Sequence, residues 1–171
     1  MKTYKDDEIY DIIDQVSALY DTIYCDEIEE PHFLKKRMEN SLAAQLHPII
    51  VTEECEDRLV GFLCGFDFKE SNWWAQQVDK VLPKQIEWYH NSFEINELCV
   101  AESYRRKGIG YQLMNVLSTT DFDYSLLSVR SDNAPALALY KKLNYQLLHA
   151  DFCFEGGHIL YHILYKEHSS T

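Results

Sequence analysis

The stretch Glu97-Leu-Cys-Val-Ala-Glu-Ser-Tyr-Arg-Arg-Lys-Gly-Ile-Gly-Tyr-Gln-Leu-Met114 decides how this chain is read. Its opening residues suit a strand. A polar turn follows over 102–107. From Gly108 to Thr119 the apolar residues Ile109, Leu113, Val116 and Leu117 mark one helical face. Strand, tight loop and helix therefore follow one another. Gly108 and Gly110 carry no side chains, so an anion can approach the backbone amides. The first N–H groups of a helix have no internal partner and lie at the positive end of its dipole. Arg105, Arg106 and Lys107 place three of the chain's 16 basic residues beside them, in a chain of formal net charge −12. That local concentration points to a phosphate site. The pattern GxxxxGK with a following Ser or Thr is missing, so this is not a nucleoside-triphosphate loop. A GxGxxG with a following acidic residue is missing too, which disfavours a dinucleotide fold.

Working outward, Phe93–Ala101 reads as the strand before the loop and Asp123–Arg130 as a strand after it. Asn133–Leu143 reads as a helix, with Asn133 suited to the N-cap and Pro135 tolerated in the first turn. Tyr145–Phe154 and His158–Tyr165 form a last strand pair about Gly156 and Gly157. Upstream, Ile9, Ile12, Ile13, Val16, Tyr20 and Ile23 give a helix over 6–24. Pro31 opens a second helix carrying Leu34, Met38, Leu42 and Leu46. His47–Glu53 and Arg58–Phe68 then read as a hairpin about the polar turn Glu54–Asp57. The expected order is α-α-β-β-insert-β-α-β-α-β-β, without internal repeats or linker-like composition. One α/β domain over residues 1–171 is the economical organisation.

The insert, residues 69–92, holds Trp73, Trp74 and Trp88, and Pro83 breaks or kinks any helix there. It reads as one or two short helices acting as a substrate-side lid. The alternative is an amphipathic insertion packed on the core.

Composition bounds the function. A chain of 171 residues, 46% of them hydrophobic, can bury a sizeable core. Only 6 Gly and 4 Pro exclude a collagen-like or low-complexity chain. The charge of −12 argues against generic nucleic-acid binding and against attraction to anionic membranes, and it permits cationic small molecules. Five cysteines, an odd number without a CxxC pair, make a disulfide framework or a zinc site unexpected. The N-terminal MKTYKDDEIYDIID has no apolar signal core, and no run approaches the roughly 18 apolar residues of a membrane span. The expectation is a reduced, cytoplasmic protein without a metal.

A second constellation follows the next strand: Asn133-Ala-Pro-Ala-Leu-Ala-Leu-Tyr-Lys-Lys-Leu-Asn-Tyr145. With Arg105–Gly110 it resembles the GNAT superfamily of N-acetyltransferases. Arg105, Gly108 and Gly110 match that family's acetyl-CoA loop, and Asn133, Ala136, Tyr140 and Tyr145 match its following motif. Asn144 stands where Gly is usual, and Asn also tolerates the left-handed conformation of a helix C-cap. The motif resemblance covers about residues 93–146.

The resemblance implies the α/β (α+β) GNAT fold. Its central sheet is mixed and mostly antiparallel, splayed between the strand at 93–101 and the strand at 123–130, with helices on both faces. It implies acetyl-CoA as cosubstrate. Leu98, Cys99 and Val100 would line the cofactor's pantetheine arm, and a backbone N–H near Val100 would polarise the thioester carbonyl. Arg105, Arg106, Lys107, Gly108, Ile109 and Gly110 would hold the pyrophosphate. Asn133 would touch the cofactor arm. Tyr140 would protonate the departing thiolate, against a plainer reading in which it only packs in the core. The base that deprotonates the amine would be Glu94 or Glu97, or a water chain. Alternation puts these two glutamates on opposite strand faces unless a bulge intervenes.

Other side chains read as structural. His90 suits the surface, and His149, His158 and His162 lack metal-ligand spacing. Cys99 suits a small buried apolar position. The acidic runs Asp6–Glu8, Asp26–Glu30 and Glu53–Asp57 suit solvated faces, with Asp26–Glu30 also placed to attract a cationic acceptor. The function implied is direct acetyl transfer from acetyl-CoA to a primary amine, with a small cationic amine favoured. A protein or peptide amine is the enzymatic alternative. A non-catalytic acyl-CoA-binding module is the alternative from another class. The expected partners are acetyl-CoA and the amine, without nucleic acid or membrane, and a homodimer on the family's frequent dimers.

Overall fold

The first apolar helical stripe does not form one helix. In the computed structural model, which describes residues 1–27 and 30–168, Asp6–Asp11 makes a 3-10 segment and α1 runs from Ile13 to Ile23. A strand that the pattern does not announce, β1 (Lys2–Lys5), precedes both. Then follow α2 (Phe33–Ala43), β2 (Ile49–Cys55), β3 (Arg58–Asp67), α3 (Trp73–Val78) and β4 (Ser92–Val100). α4 (Ile109–Asn115) runs into a 3-10 turn over Val116–Thr119, and β5 (Tyr124–Arg130), α5 (Ala134–Lys142), β6 (Gln146–Cys153) and β7 (Leu160–Glu167) complete the order.

Local chemistry sets most of these boundaries. Glu56 and Asp57 both take positive φ, 50° and 60°, the pattern of a two-residue hairpin turn, so the turn is tighter than Glu54–Asp57 suggests. Cys55 pairs with Arg58 directly across it. The Asn133 side chain accepts a hydrogen bond from the Ala136 N–H at 3.2 Å and caps α5, with Pro135 in the first turn. Asn144 ends that helix at φ 65°, the role its position before Tyr145 implies.

The strands form a seven-stranded sheet in the order β1-β2-β3-β4-β5-β7-β6. β4 and β5 pair in parallel over Ser92–Glu94 against Tyr124–Leu126. The β1–β2, β2–β3, β5–β7 and β6–β7 pairs are antiparallel. The sheet is therefore mixed and mostly antiparallel, as expected.

The chain divides into two units, Met1–Phe66 with Ile95–Leu117, and Asp67–Glu94 with Ser118–Thr171. In the first unit Ile9, Ile13, Val16, Leu34, Met38, Ile50, Phe62 and Cys99 form the core. The buried positions of α1 and α2 fall at helical steps, which is why these helices lay one stripe inward. In the second unit Phe68, Trp74, Ala75, Val78, Leu82, Trp88, Leu126, Phe152 and Ile163 pack together. Trp74, Ala75, Val78, Leu82 and Trp88 of the insert are thus part of this core, while Trp73 is 60% exposed. Trp88 is held through its indole N–H, which donates to the Pro83 carbonyl at 2.9 Å. Among the described residues no helix is long and apolar enough to cross a membrane.

Candidate active site

The glycine-bearing loop lies in the first unit. The 3-10 turn Glu102–Tyr104 leads from β4, and the backbone then turns left-handed twice, at Arg106 (φ 63°) and at Gly108 (φ 81°). Gly108 is the N-cap of α4, and its α-carbon faces open space. A side chain there meets no neighbour, so the glycine is required by backbone conformation, not by crowding. The first intrahelical bond runs from Gln112 N–H to the Gly108 carbonyl, at 3.0 Å. The N–H groups at the start of such a helix point out of its end, toward whatever lies ahead of it. Arg105 is tied back to the strand end, its Nε donating to the Val100 carbonyl at 2.9 Å. Lys107 lies over the Tyr104 ring, 5.2 Å from the centroid.

A glycine outside the loop fixes where α4 sits. A methyl group on Gly61 of β3 would stand 3.2 Å from the Cys99 carbonyl oxygen, 3.2 Å from an Ile109 methyl and 3.3 Å from a Leu113 methyl. Here close approach favours the glycine, since a side chain would push these neighbours back by a few tenths of an ångström. The sequence signal was an isolated Gly within a strand pattern.

The same unit contains a strongly perturbed carboxyl. Glu97 on β4 forms an ion pair with Arg37 of α2, with Oε1 3.7 Å from the guanidinium, and the Tyr20 hydroxyl of α1 donates to it. Its side chain is 20% exposed. Burial pushes its pKa up to about 7, against the opposing pull of Arg37 and the Tyr20 hydrogen bond. Tyr20 and Tyr24, one helical turn apart, have ring centroids 4.8 Å apart. Burial, followed by the Glu97 charge for Tyr20 and Cys99 for Tyr24, pushes both phenols up. Cys64 and Cys99 are buried, and desolvation pushes their thiols up as well.

The remaining candidates lie in the second unit. Glu94 is 2% exposed, and its Oε2 accepts from the Asn72 side-chain amide at 3.0 Å. Asn72 also donates to the Asp67 carbonyl, at 2.8 Å. Tyr140 on α5 is 8% exposed and meets Tyr145 edge-on at 5.8 Å between centroids. Tyr145 is anchored in turn. Its hydroxyl is 2.6 Å from Ser125 Oγ, which lies 2.8 Å from His168 Nε2. Burial pushes the Tyr145 phenol up to about 12. The Asn133 side-chain oxygen is engaged in capping α5. His90 is 72% exposed beside Asp123, as a surface histidine. Of the acidic run Asp26–Glu30, residues 28 and 29 lie outside the described residues.

One unit thus holds Glu97, Leu98, Cys99, Val100 and the loop Arg105–Gly110, and the other holds Glu94, Asn133 and Tyr140. The sequence reading missed Arg37, Tyr20, Asn72 and Gly61. Arg37 could have been found as a charged residue on the buried stripe of α2, three residues after Leu34 and four before Ser41, both buried.

The sequence model described as Acetyltransferase (GNAT) family matches residues 13–145. The chain belongs to that family. It is 36% identical over 78 residues to an N-alpha-acetyltransferase of Saccharolobus solfataricus, a stretch covering 43% of this chain and 44% of that protein. The match thus spans less than half the length of that relative. The fold is similar to the ribosomal-protein-alanine N-acetyltransferase of Brucella melitensis, with TM-score 0.64 and 15% identity over 98% of this chain and 99% of that one. It is also similar to the spermidine N-acetyltransferase of Vibrio cholerae, solved with CoA and spermine, with TM-score 0.62 and 14% identity over 92% of this chain and 90% of that one.

Proposed function

We propose that this protein transfers an acetyl group from acetyl-CoA to a primary amine, with Glu97 as base and Tyr140 as acid. The observation that carries the reading is the Arg105–Gly110 turn, twice left-handed and opening α4, in a member of an acetyltransferase family. Backbone amides at such a turn suit phosphate oxygens, and Arg105, Arg106 and Lys107 add positive charge. The thioester supplies an activated acetyl group. The chain must move two protons. An amine is mostly protonated near neutrality and must lose a proton before it attacks. Glu97, with its pKa raised to about 7, is matched to accept that proton. Glu94 is less suited, since the Asn72 amide engages it in a buried setting. As the C–N bond forms and the C–S bond breaks, Tyr140 gives its phenolic proton to the leaving sulfur, and the second proton shed by the nitrogen restores the phenol through solvent. Leu98, Cys99 and Val100 line the acyl end of the cofactor, and Asn133 contacts its arm while capping α5.

We favour a small cationic amine as acceptor, on the chain's net charge of −12. A protein N-terminus is the second reading, and the similarity to an N-alpha-acetyltransferase favours it. Calorimetry with acetyl-CoA, using NAD and ATP as controls, tests the cofactor. Binding tighter than about 100 μM, roughly 5.5 kcal/mol, and selective for acetyl-CoA is expected. Turnover across spermidine, an aminoglycoside and N-terminal peptides then separates the acceptor classes. Absence of acetyl-CoA binding would sink the enzymatic reading.

A further inference from the structure

We propose that Arg37, on α2, is a positioning residue that holds the Glu97 carboxyl in an ion pair and lowers its proton affinity. The titratable groups facing Glu97 are Arg37 from α2, Tyr20 and Tyr24 from α1, Cys64 from β3 and Cys99 on its own strand. Of these, Arg37 brings the opposite charge. Tyr20 donates a hydrogen bond, and the two thiols and Tyr24 are held neutral by burial. A carboxylate largely withdrawn from water, here with a fifth of its side chain exposed, is costly without a cation or donors. The guanidinium lies 3.7 Å from Oε1, beyond a hydrogen bond and within an ion pair, so it acts on Glu97 through charge.

The fold also explains why Arg37 stays there. It shares the inward stripe of α2 with Leu34, Met38 and Ser41, all buried, so its stem follows the helix toward the sheet. Phe33, one turn earlier on the same helix, lies 6.0 Å from the guanidinium carbon, under its face. The Arg37 side chain is 28% exposed, so it is neither sealed in nor free in solvent. The catalytic consequence rests on Glu97 being the base. The effect on Glu97's proton does not.

The experiment is a carbon-13 NMR titration of glutamate side-chain carboxyls in the full-length protein, with the Glu97 signal identified by its loss in Glu97→Gln. A wild-type midpoint near 7 is expected. Arg37→Met keeps the aliphatic stem and removes the charge, and should raise the midpoint by about one pH unit. Arg37→Lys should restore most of that shift. An unchanged midpoint in Arg37→Met overturns the proposal. Should that variant not fold, the wild-type protein still decides the matter. The Arg37 guanidinium nitrogen-15 signals should titrate with the Glu97 midpoint, and signals that do not move overturn the proposal equally. The base reading fails separately, if Glu97→Gln turns over an acceptor at the wild-type rate.

Discussion

Glu94 and Glu97 stand three residues apart on β4, and their surroundings differ in kind. Glu94 is almost fully enclosed and answered by a neutral amide, that of Asn72, which is itself tied to the Asp67 carbonyl. Glu97 keeps a fifth of its side chain in contact with solvent and is answered by a cation and a phenol. A neutral, backbone-anchored donor suits a permanent structural contact. A partly exposed carboxyl with its pKa raised to about 7 suits a group that gains and loses a proton. Strand alternation separates the two environments, because an odd step along a strand reverses the face presented.

The comparison is most severely strained by exchanging the two carboxyls in turn. Glu97→Gln should lower kcat by about a thousandfold, within the usual range for losing a general base. Glu94→Gln should leave kcat within about threefold of wild type, since the amide oxygen can still accept from Asn72. Steady-state kinetics at saturating acetyl-CoA checks both, and the reverse ranking would exchange the assignments. Tyr140→Phe should lower kcat by about a hundredfold while acetyl-CoA affinity stays within about twofold. Normal turnover in that variant would leave Tyr140 as a packing residue.

A stability measurement sharpens the contrast. The Glu97 pKa rises from its ordinary 4.5 to about 7 on folding. Between these values the unfolded chain releases the proton while the folded chain still holds it. The native state therefore binds more protons, and stability falls as pH rises through that window. Below it both states are protonated and the penalty vanishes. Its upper bound is about 3 kcal/mol. Urea unfolding of wild type and Glu97→Gln at pH 4.5 and pH 8 should show a smaller loss in the variant. The smallest effect concerns Glu94. Asn72→Ala removes one buried donor to Glu94 and should cost about 1–3 kcal/mol, or roughly 3–10 °C in Tm. Turnover of the remaining folded protein should be near normal.

These contrasts also mark how far the sequence could be read. The Arg105–Gly110 loop and the Asn133–Tyr145 helix were legible because their chemistry is local. Glycine frees φ, asparagine caps, and spacing along one segment brings the groups together. The last two strands were legible for the same reason, through Gly156 and Gly157. β1 was not, since Lys2–Lys5 is short and largely exposed, and exists through its pairing with β2, Lys2 against Thr52. Choosing between Glu94 and Glu97 needed Asn72 and Arg37. The one lies in the insert and the other on α2, far from β4 along the chain. The aromatic residues of 69–92 announced importance without saying which kind. Trp74 and Trp88 are buried, while Trp73 is 60% exposed and stacks on Phe154.

The distribution of thiols has a practical outcome for labelling chemistry. Cys25, Cys55 and Cys153 are exposed, whereas Cys64 and Cys99 are enclosed. Alkylation proceeds through the thiolate, and desolvation near Glu97 suppresses that form at the two enclosed sulfurs. A maleimide dye or spin label added to the native protein should therefore react at 25, 55 and 153 and spare 64 and 99. Peptide mapping reads this directly. Modification at 99 under native conditions would report that β4 has opened, giving the strand that carries Glu97 its own built-in chemical reporter.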